Sequence, residues 1–218
     1  MTAEVYIIGK SKHVEQLRKL IAKLATDRKD ALIVGEAGVG KSTAARLIAS
    51  PEIPTTFGLA CHDELELQAA LGAITSGTVL FEDLDQAGFR NQEIMLGFVA
   101  TRPKAVRVIA TVSMPARELL LQRKLTENLH ARLNAFETVE IRPLRERPED
   151  IPLFVKHFAN GLIIDINTLE TLVKLPWNEN VRQLKSIVER CISSAQDGRF
   201  VLPEELVDLR LSLRTISS

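Results

Sequence analysis

Between residues 12 and 27 the apolar positions return at helical spacing, with Val14, Leu17, Leu20, Ile21 and Leu24 on one face. The spacing predicts a helix there. A different pattern follows: Ala31-Leu32-Ile33-Val34 is a continuous apolar run, and residues 31–36 read as a strand buried on both faces. The two patterns then alternate. Thr56–Cys61 predicts a short second strand and His62–Ala73 a helix. Thr78–Asp83 predicts an apolar strand that ends in carboxylates. Phe89–Thr101 predicts a helix and Val106–Val112 a strand. Pro115–Asn134 is a long helical stretch, continuous or broken, and Thr138–Ile141 a last short strand. Strands alternating with helices imply an α/β fold, a parallel sheet covered on both faces. After Pro143 the strand pattern stops. Residues 148–161, 166–175 and 180–197 all read as helices. Pro148 suits a helix start, and Glu149 and Asp150 suit the positive end of a helix. The chain thus divides into an α/β domain over residues 1–144 and a small all-helical domain over residues 145–218.

The first strand leads directly into Gly35-Glu36-Ala37-Gly38-Val39-Gly40-Lys41-Ser42, a complete G-x-x-x-x-G-K-[ST] phosphate-binding loop. Its context is right as well as its letters, because Ser42-Thr43-Ala44-Ala45-Arg46-Leu47-Ile48 continues as helix formers without a breaker. The glycines let successive N–H groups turn inward onto phosphate oxygens, and the helix adds its positive end. Lys41 is expected on the β- and γ-phosphates and the Ser42 hydroxyl on Mg²⁺. Such a site also needs a carboxylate near the metal and a group that orients water. Glu82 and Asp83, at the end of the third predicted strand, are the candidates for both.

Composition narrows the partners. The chain has 218 residues, 45% apolar and 26% charged, with 28 basic and 28 acidic side chains and a formal net charge of zero. A broad nonspecific nucleic-acid surface is not indicated. No stretch is apolar enough for a membrane span, and the first residues lack a signal-peptide pattern. Cys61 and Cys191 lie far apart without a C-x-x-C spacing, which fits reduced, buried thiols in the cytoplasm. His13, His62, His130 and His157 show no metal-ligand spacing.

Several further segments resemble one family, the AAA+ domains of bacterial enhancer-binding, NtrC-like, sigma-54-activating ATPases. They are Ile8-Gly9-Lys10-Ser11, Gly77-Thr78-Val79-Leu80-Phe81, Val106-Arg107-Val108-Ile109-Ala110-Thr111 and Ala131-Arg132-Leu133-Asn134. The most specific are residues 143–152, PLRERPEDIP, and residues 176–184, PWNENVRQL. The resemblance runs from about Ile8 to about Leu206. It implies a P-loop nucleotide-binding domain with a helical lid, ATP held between them and against a neighbouring subunit, and a head-to-tail, typically hexameric ring. It places Ile8 and Gly9 near the adenine and Thr111 at the sensor-one position near the γ-phosphate. Arg182 falls at the lid's sensor-two position, and Arg132 is the arginine finger that reaches a neighbour's ATP.

The chain also departs from that family. Sigma-54 activators carry a long insertion ending in a GAFTGA loop before the acidic strand. Here only His62–Ser76 fills the interval, and the faint echo Gly72-Ala73-Ile74-Thr75-Ser76-Gly77 abuts the strand. The family's acidic order is Asp then Glu, whereas this chain has Glu82 then Asp83; a one-residue shift would instead put Asp83 on the metal with Asp85 as substitute. Thr126 stands where a second arginine is usual, and no asparagine lies around Ala60-Cys61-His62. About twenty residues follow Gly198 and seven precede residue 8, so neither a helix-turn-helix domain nor a receiver domain is expected within this sequence. The expectation is a cytoplasmic ATP-binding, ATP-hydrolysing protein that oligomerises and remodels or regulates a protein partner, without direct DNA contact. Two alternatives stand beside it: an ATP-gated binding or scaffold module with little hydrolysis, and an accessory transcription regulator.

Overall fold

The computed structural model describes residues 6–50, 54–58, 63–159, 161, 162, 164 and 166–193. Five strands, β1 (Ala31–Val34), β2 (Thr55–Gly58), β3 (Gly77–Glu82), β4 (Val106–Val112) and β5 (Glu137–Glu140), form one sheet in the order β2-β3-β4-β1-β5. Each neighbouring pair is parallel. The central strands β1 and β4 are buried throughout, which is why they read as unbroken apolar runs. The edge strands β2 and β5 bury one residue each, Phe57 and Val139.

The pleat sends neighbouring residues to opposite faces. Leu32, Val34, Val79 and Phe81 pack with Leu67, Met95, Leu119 and Leu129 on one side. Ala31, Ile33, Leu80 and Ile109 pack with Leu17, Ile21, Ala44 and Ile48 on the other. The first face carries α3 (Glu64–Gly72), α4 (Phe89–Thr101), α5 (Ala116–Leu121) and α6 (Glu127–Leu133). The second carries α1 (Lys12–Asp27) and α2 (Lys41–Ala49). Arg107, on buried β4, donates to Leu24 O at the end of α1 and to Ile48 O at the end of α2. Its guanidinium thereby meets the negative ends of two helices.

The sequence-based bounds shift where capping chemistry intervenes. The helix expected from His62 begins at Glu64, because Asp63 is its N-cap and accepts from Leu65 N and Glu66 N. The stretch 115–134 is broken. Arg123 takes a left-handed conformation (φ 56°), and Thr126 caps α6 by accepting from Leu129 N. The position compared above with a second arginine is thus a helix cap. Of the residues expected in β2, 59–61 lie outside the described residues, as do His62 and the last residues expected in the third lid helix.

The chain separates into two compact units. One comprises the residues up to Ile7 together with Glu15–Arg142; the other comprises Ile8–Val14 with the chain from Pro143 onward. The expected boundary at 144/145 assigned Ile8–Val14 to the first. In the second unit, α7 (Ile151–Phe158), α8 (Ile166–Val173) and α9 (Asn180–Ser193) close around Trp177, Leu172, Leu184 and Val188. The 148–161 helix starts instead as a 3-10 turn at Pro148–Asp150. Trp177 is 1% exposed, and its indole N–H donates to Leu172 O at 2.8 Å. Asn180 Oδ1 accepts from Leu144 N at 2.7 Å and so ties the PWNEN segment to the start of the unit. Asp150 is fully buried. Its carboxylate accepts from Lys10 N (2.6 Å), Ser11 N (2.8 Å) and the Ser11 hydroxyl (2.7 Å). This is what recruits Ile8–Val14. A side chain on Gly9 (φ 146°) would stand 2.9 Å from that carboxylate. Nearby Arg147 lies over the Phe154 ring, with burial pushing its pKa down and Asp150 opposing that shift.

Candidate functional site

Parallel strands deliver their C-terminal ends to one edge of the sheet, where α/β proteins build sites. Here β1 runs into Gly35–Ser42, β3 ends at Glu82, and Thr111 lies near the end of neighbouring β4. Gly35 is locked beside the sheet: a Cβ there would meet Ile141 O at 2.8 Å and Val39 Cγ2 at 2.9 Å. Gly38 (φ 75°) and Gly40 (φ 112°) supply the positive φ that turns the loop into α2. Val39 is buried and pins the loop to the core, while Glu36 is half-buried and Ala37 exposed at its crest. Ser42 and Thr43 are half-buried in the first turn of α2.

Lys41 is buried, and its ammonium has three acceptors within reach. It donates to Gly35 O at 2.9 Å and Glu36 O at 3.4 Å, and lies 3.5 Å from Asp83 Oδ1. The Ser42 hydroxyl donates to the Glu82 carboxylate. The acidic pair is therefore split between the two motif residues, Glu82 to the serine and Asp83 to the lysine. Asp85, the substitute in the shifted register, has partners of its own. It is 6% exposed and accepts from Ser113 N and the Ser113 hydroxyl at the end of β4.

Asp83 takes a left-handed conformation (φ 48°, ψ 51°), which aspartate tolerates better than most residues. Thr111 holds it there: its buried hydroxyl accepts the Asp83 backbone N–H at 2.9 Å. Thr111 thus acts on the backbone of the acidic loop, a contact that strand-end placement alone did not reveal.

The remaining expected residues sit elsewhere. Arg132 is exposed on α6 and donates to Val99 O at 3.4 Å. Ile8, Gly9 and Arg182 belong to the second unit. Ile8 packs against its core, Gly9 is buried on Asp150, and Arg182 is exposed in the first turn of α9. Among the described residues no group of three His, Cys, Asp or Glu could hold a metal by itself.

One positioning residue escaped the sequence reading. Gln92, fully buried on α4, donates from Nε2 to Ala87 O (3.0 Å) and Lys124 O (2.8 Å). Its Oε1 accepts from Thr126 N at 3.1 Å. One amide therefore ties the loop after the acidic strand to the turn that starts α6. The available signal was a polar residue in register with core positions Met95 and Val99.

Residues 8–144 match the family described as the sigma-54 interaction domain, and residues 145–212 match the AAA+ ATPase lid domain. The chain is 31% identical to the DNA-binding transcriptional activator HyfR of Escherichia coli, over 85% of this chain and 34% of HyfR. It is 27% identical to the nitrogen fixation protein VnfA of Azotobacter vinelandii, over 88% of this chain and 45% of VnfA. The chain thus spans between a third and a half of these relatives. NtrX from Brucella abortus in complex with ADP superposes with a TM-score of 0.80 at 21% identity, covering 93% of this chain and 55% of that one. RuvB from Thermotoga maritima gives 0.65 at 14% identity, over 94% of this chain and 70% of that one. These two likenesses establish an AAA+ fold. With both family matches running consecutively from residue 8 to residue 212, the chain belongs to the sigma-54 interaction domain family of AAA+ proteins with a helical lid.

Proposed function

We propose that this chain binds ATP with Mg²⁺, hydrolyses it to ADP and phosphate, assembles head to tail, and uses the cycle to regulate or remodel a protein partner in the cytoplasm. The observation that carries the reading is the convergence of Lys41, Ser42, Glu82 and Asp83 at one strand edge, with the serine on the first acid and the lysine beside the second. The donor set fits Mg²⁺. Ser42 and Glu82 offer hard oxygens side by side, the donor type that Mg²⁺ takes alongside substrate phosphates. When bound, Mg²⁺ neutralises charge on the β- and γ-phosphates.

The chain's own residues do the rest. Amides of Gly35–Thr43 cradle the phosphates and Lys41 binds the terminal ones. Asp83, with its backbone held by Thr111, orients the water that attacks the γ-phosphorus as the bond to ADP breaks. Arg132 acts across subunits, Arg182 acts from the lid, and Ile8 and Gly9 contact the base. The partner is read as protein rather than nucleic acid, in line with the zero formal net charge. Contact with sigma-54 through a projecting loop is not part of this reading. Between β2 and β3 the described residues hold one nine-residue helix. The alignment with HyfR runs over 232 residues while covering 85% of this 218-residue chain, so the aligned region of HyfR carries several tens of residues without a counterpart here.

A second reading, an ATP-gated binding module with slow turnover, is favoured by one observation: Asp83 is a methylene shorter than glutamate and is engaged by Lys41. Turnover measured against protein concentration separates the two, with Lys41→Ala as blank and Arg132→Ala alongside. Cooperative, concentration-dependent turnover lost in both variants supports the ATPase. Tight ATP binding with turnover no better than the blank supports the gated module.

A further inference from the structure

Lys41 carries three N–H donors, and three acceptors lie within reach of them: the carbonyls of Gly35 and Glu36 and the carboxylate of Asp83. A phosphate that takes this lysine must displace one of the three. The two carbonyls belong to a loop whose course is fixed by Gly35 against Ile141 and by buried Val39. Asp83 is different. Its side chain is 62% exposed and can rotate into water without disturbing the backbone, which Thr111 holds. The other nearby acids are committed, Glu82 to Ser42 and Asp85 to Ser113.

We infer that Lys41 has a second role: it holds Asp83 out of use until a terminal phosphate claims the ammonium, and the freed carboxylate then turns to the water. Phosphate binding and the water-orienting group are thereby coupled through one ion pair, and Asp83 is not poised beside Lys41 while a γ-phosphate is being attacked. This rests on the nucleotide reading of the site. It also makes Asp83 a competitor of nucleotide for Lys41.

A double-mutant cycle tests it. ADP affinity is measured by titration calorimetry for the unaltered chain, Asp83→Asn, Lys41→Gln and the double variant. Removing the competing carboxylate tightens ADP about two- to five-fold, the range an exposed ion pair spans. The tightening disappears when Lys41 is Gln. Unchanged affinity in Asp83→Asn overturns the proposal. So does equal tightening in both backgrounds, since that marks general charge repulsion rather than the pair. The same cycle is read on urea unfolding of the chain without nucleotide, which needs no ligand affinity at all. Additive single effects there also overturn the pairing. Failure of the unaltered chain to bind nucleotide refutes the ATP reading instead, and the unfolding cycle still reports on the pair.

Discussion

Replacing Thr111 by Val removes one acceptor at almost constant volume. Thr111 is 1% exposed near the end of β4, paired with Ile33 of parallel β1, so no cavity opens and the strand register persists. What is lost is the 2.9 Å bond from Asp83 N–H. A net hydrogen bond is worth about 0.5–1.5 kcal/mol, and a buried donor left unpaired costs about 1–3 kcal/mol. Asp83 is itself exposed, so water can recover part of that loss, and a fall of about 1 kcal/mol in unfolding free energy is expected. The functional effect should be larger. Asp83 sits in a left-handed conformation that Thr111 helps to hold, and in its proposed water-orienting role a displacement near 1 Å costs on the order of 100-fold in rate. Urea unfolding together with kcat, and the Kd values of ATP and ADP, would be compared for Thr111→Val and Thr111→Ser. Serine keeps the acceptor and should retain kcat within a few-fold, whereas Val should lose about 10- to 100-fold with both Kd values little changed. Equal loss in Ser and Val would refute the hydrogen-bond argument. Selective weakening of ATP over ADP in Val would show instead that the hydroxyl reads the γ-phosphate directly.

Other consequences are equally open to measurement. Gln92→Met keeps the volume but strands Ala87 O, Lys124 O and Thr126 N, so unfolding free energy should drop by about 2–3 kcal/mol, read by urea denaturation. Gly9→Ala forces a Cβ against the Asp150 carboxylate at positive φ. Amides of residues 8–14 should then exchange hydrogen at least tenfold faster by mass spectrometry, while those of β1 and β4 stay protected. Burial raises the Cys191 thiol from its ordinary 9.0 to about 11. A folded-state pKa above the unfolded one means stability is intact below pH 9 and is lost as pH rises from there towards 11. The alkaline decline in unfolding midpoint should therefore be shallower in Cys191→Ala than in the unaltered chain.

Much of this architecture is legible in one dimension because its signals are local. Four consecutive apolar residues before a glycine loop can hardly be anything but a central strand, and α1, α4 and β4 were delimited by periodicity and breakers alone. The phosphate loop declares itself because its chemistry resides in positive-φ backbone turns, which glycine takes most readily, at Gly38 and Gly40. Local bounds moved where a side chain bonded to nearby backbone, as Asp63 and Thr126 do at helix starts.

Long-range decisions were of another kind. Nothing in the order of residues says that Asp150 reaches back across the chain to Lys10 and Ser11, and so draws Ile8–Val14 into the helical unit. Nor does it say which of three closely spaced carboxylates faces the serine. The parallel ladder decided that, by bringing the ends of β3 and β4 together so that Ser113 captured Asp85 and Thr111 captured the Asp83 backbone. The sequence alone determined which elements form and where the phosphate-loop motif falls among them, because propensity and backbone freedom act over a few residues. Only the tertiary structure assigned each acid its partner, since hydrogen-bond geometry depends on distances that chain spacing does not encode.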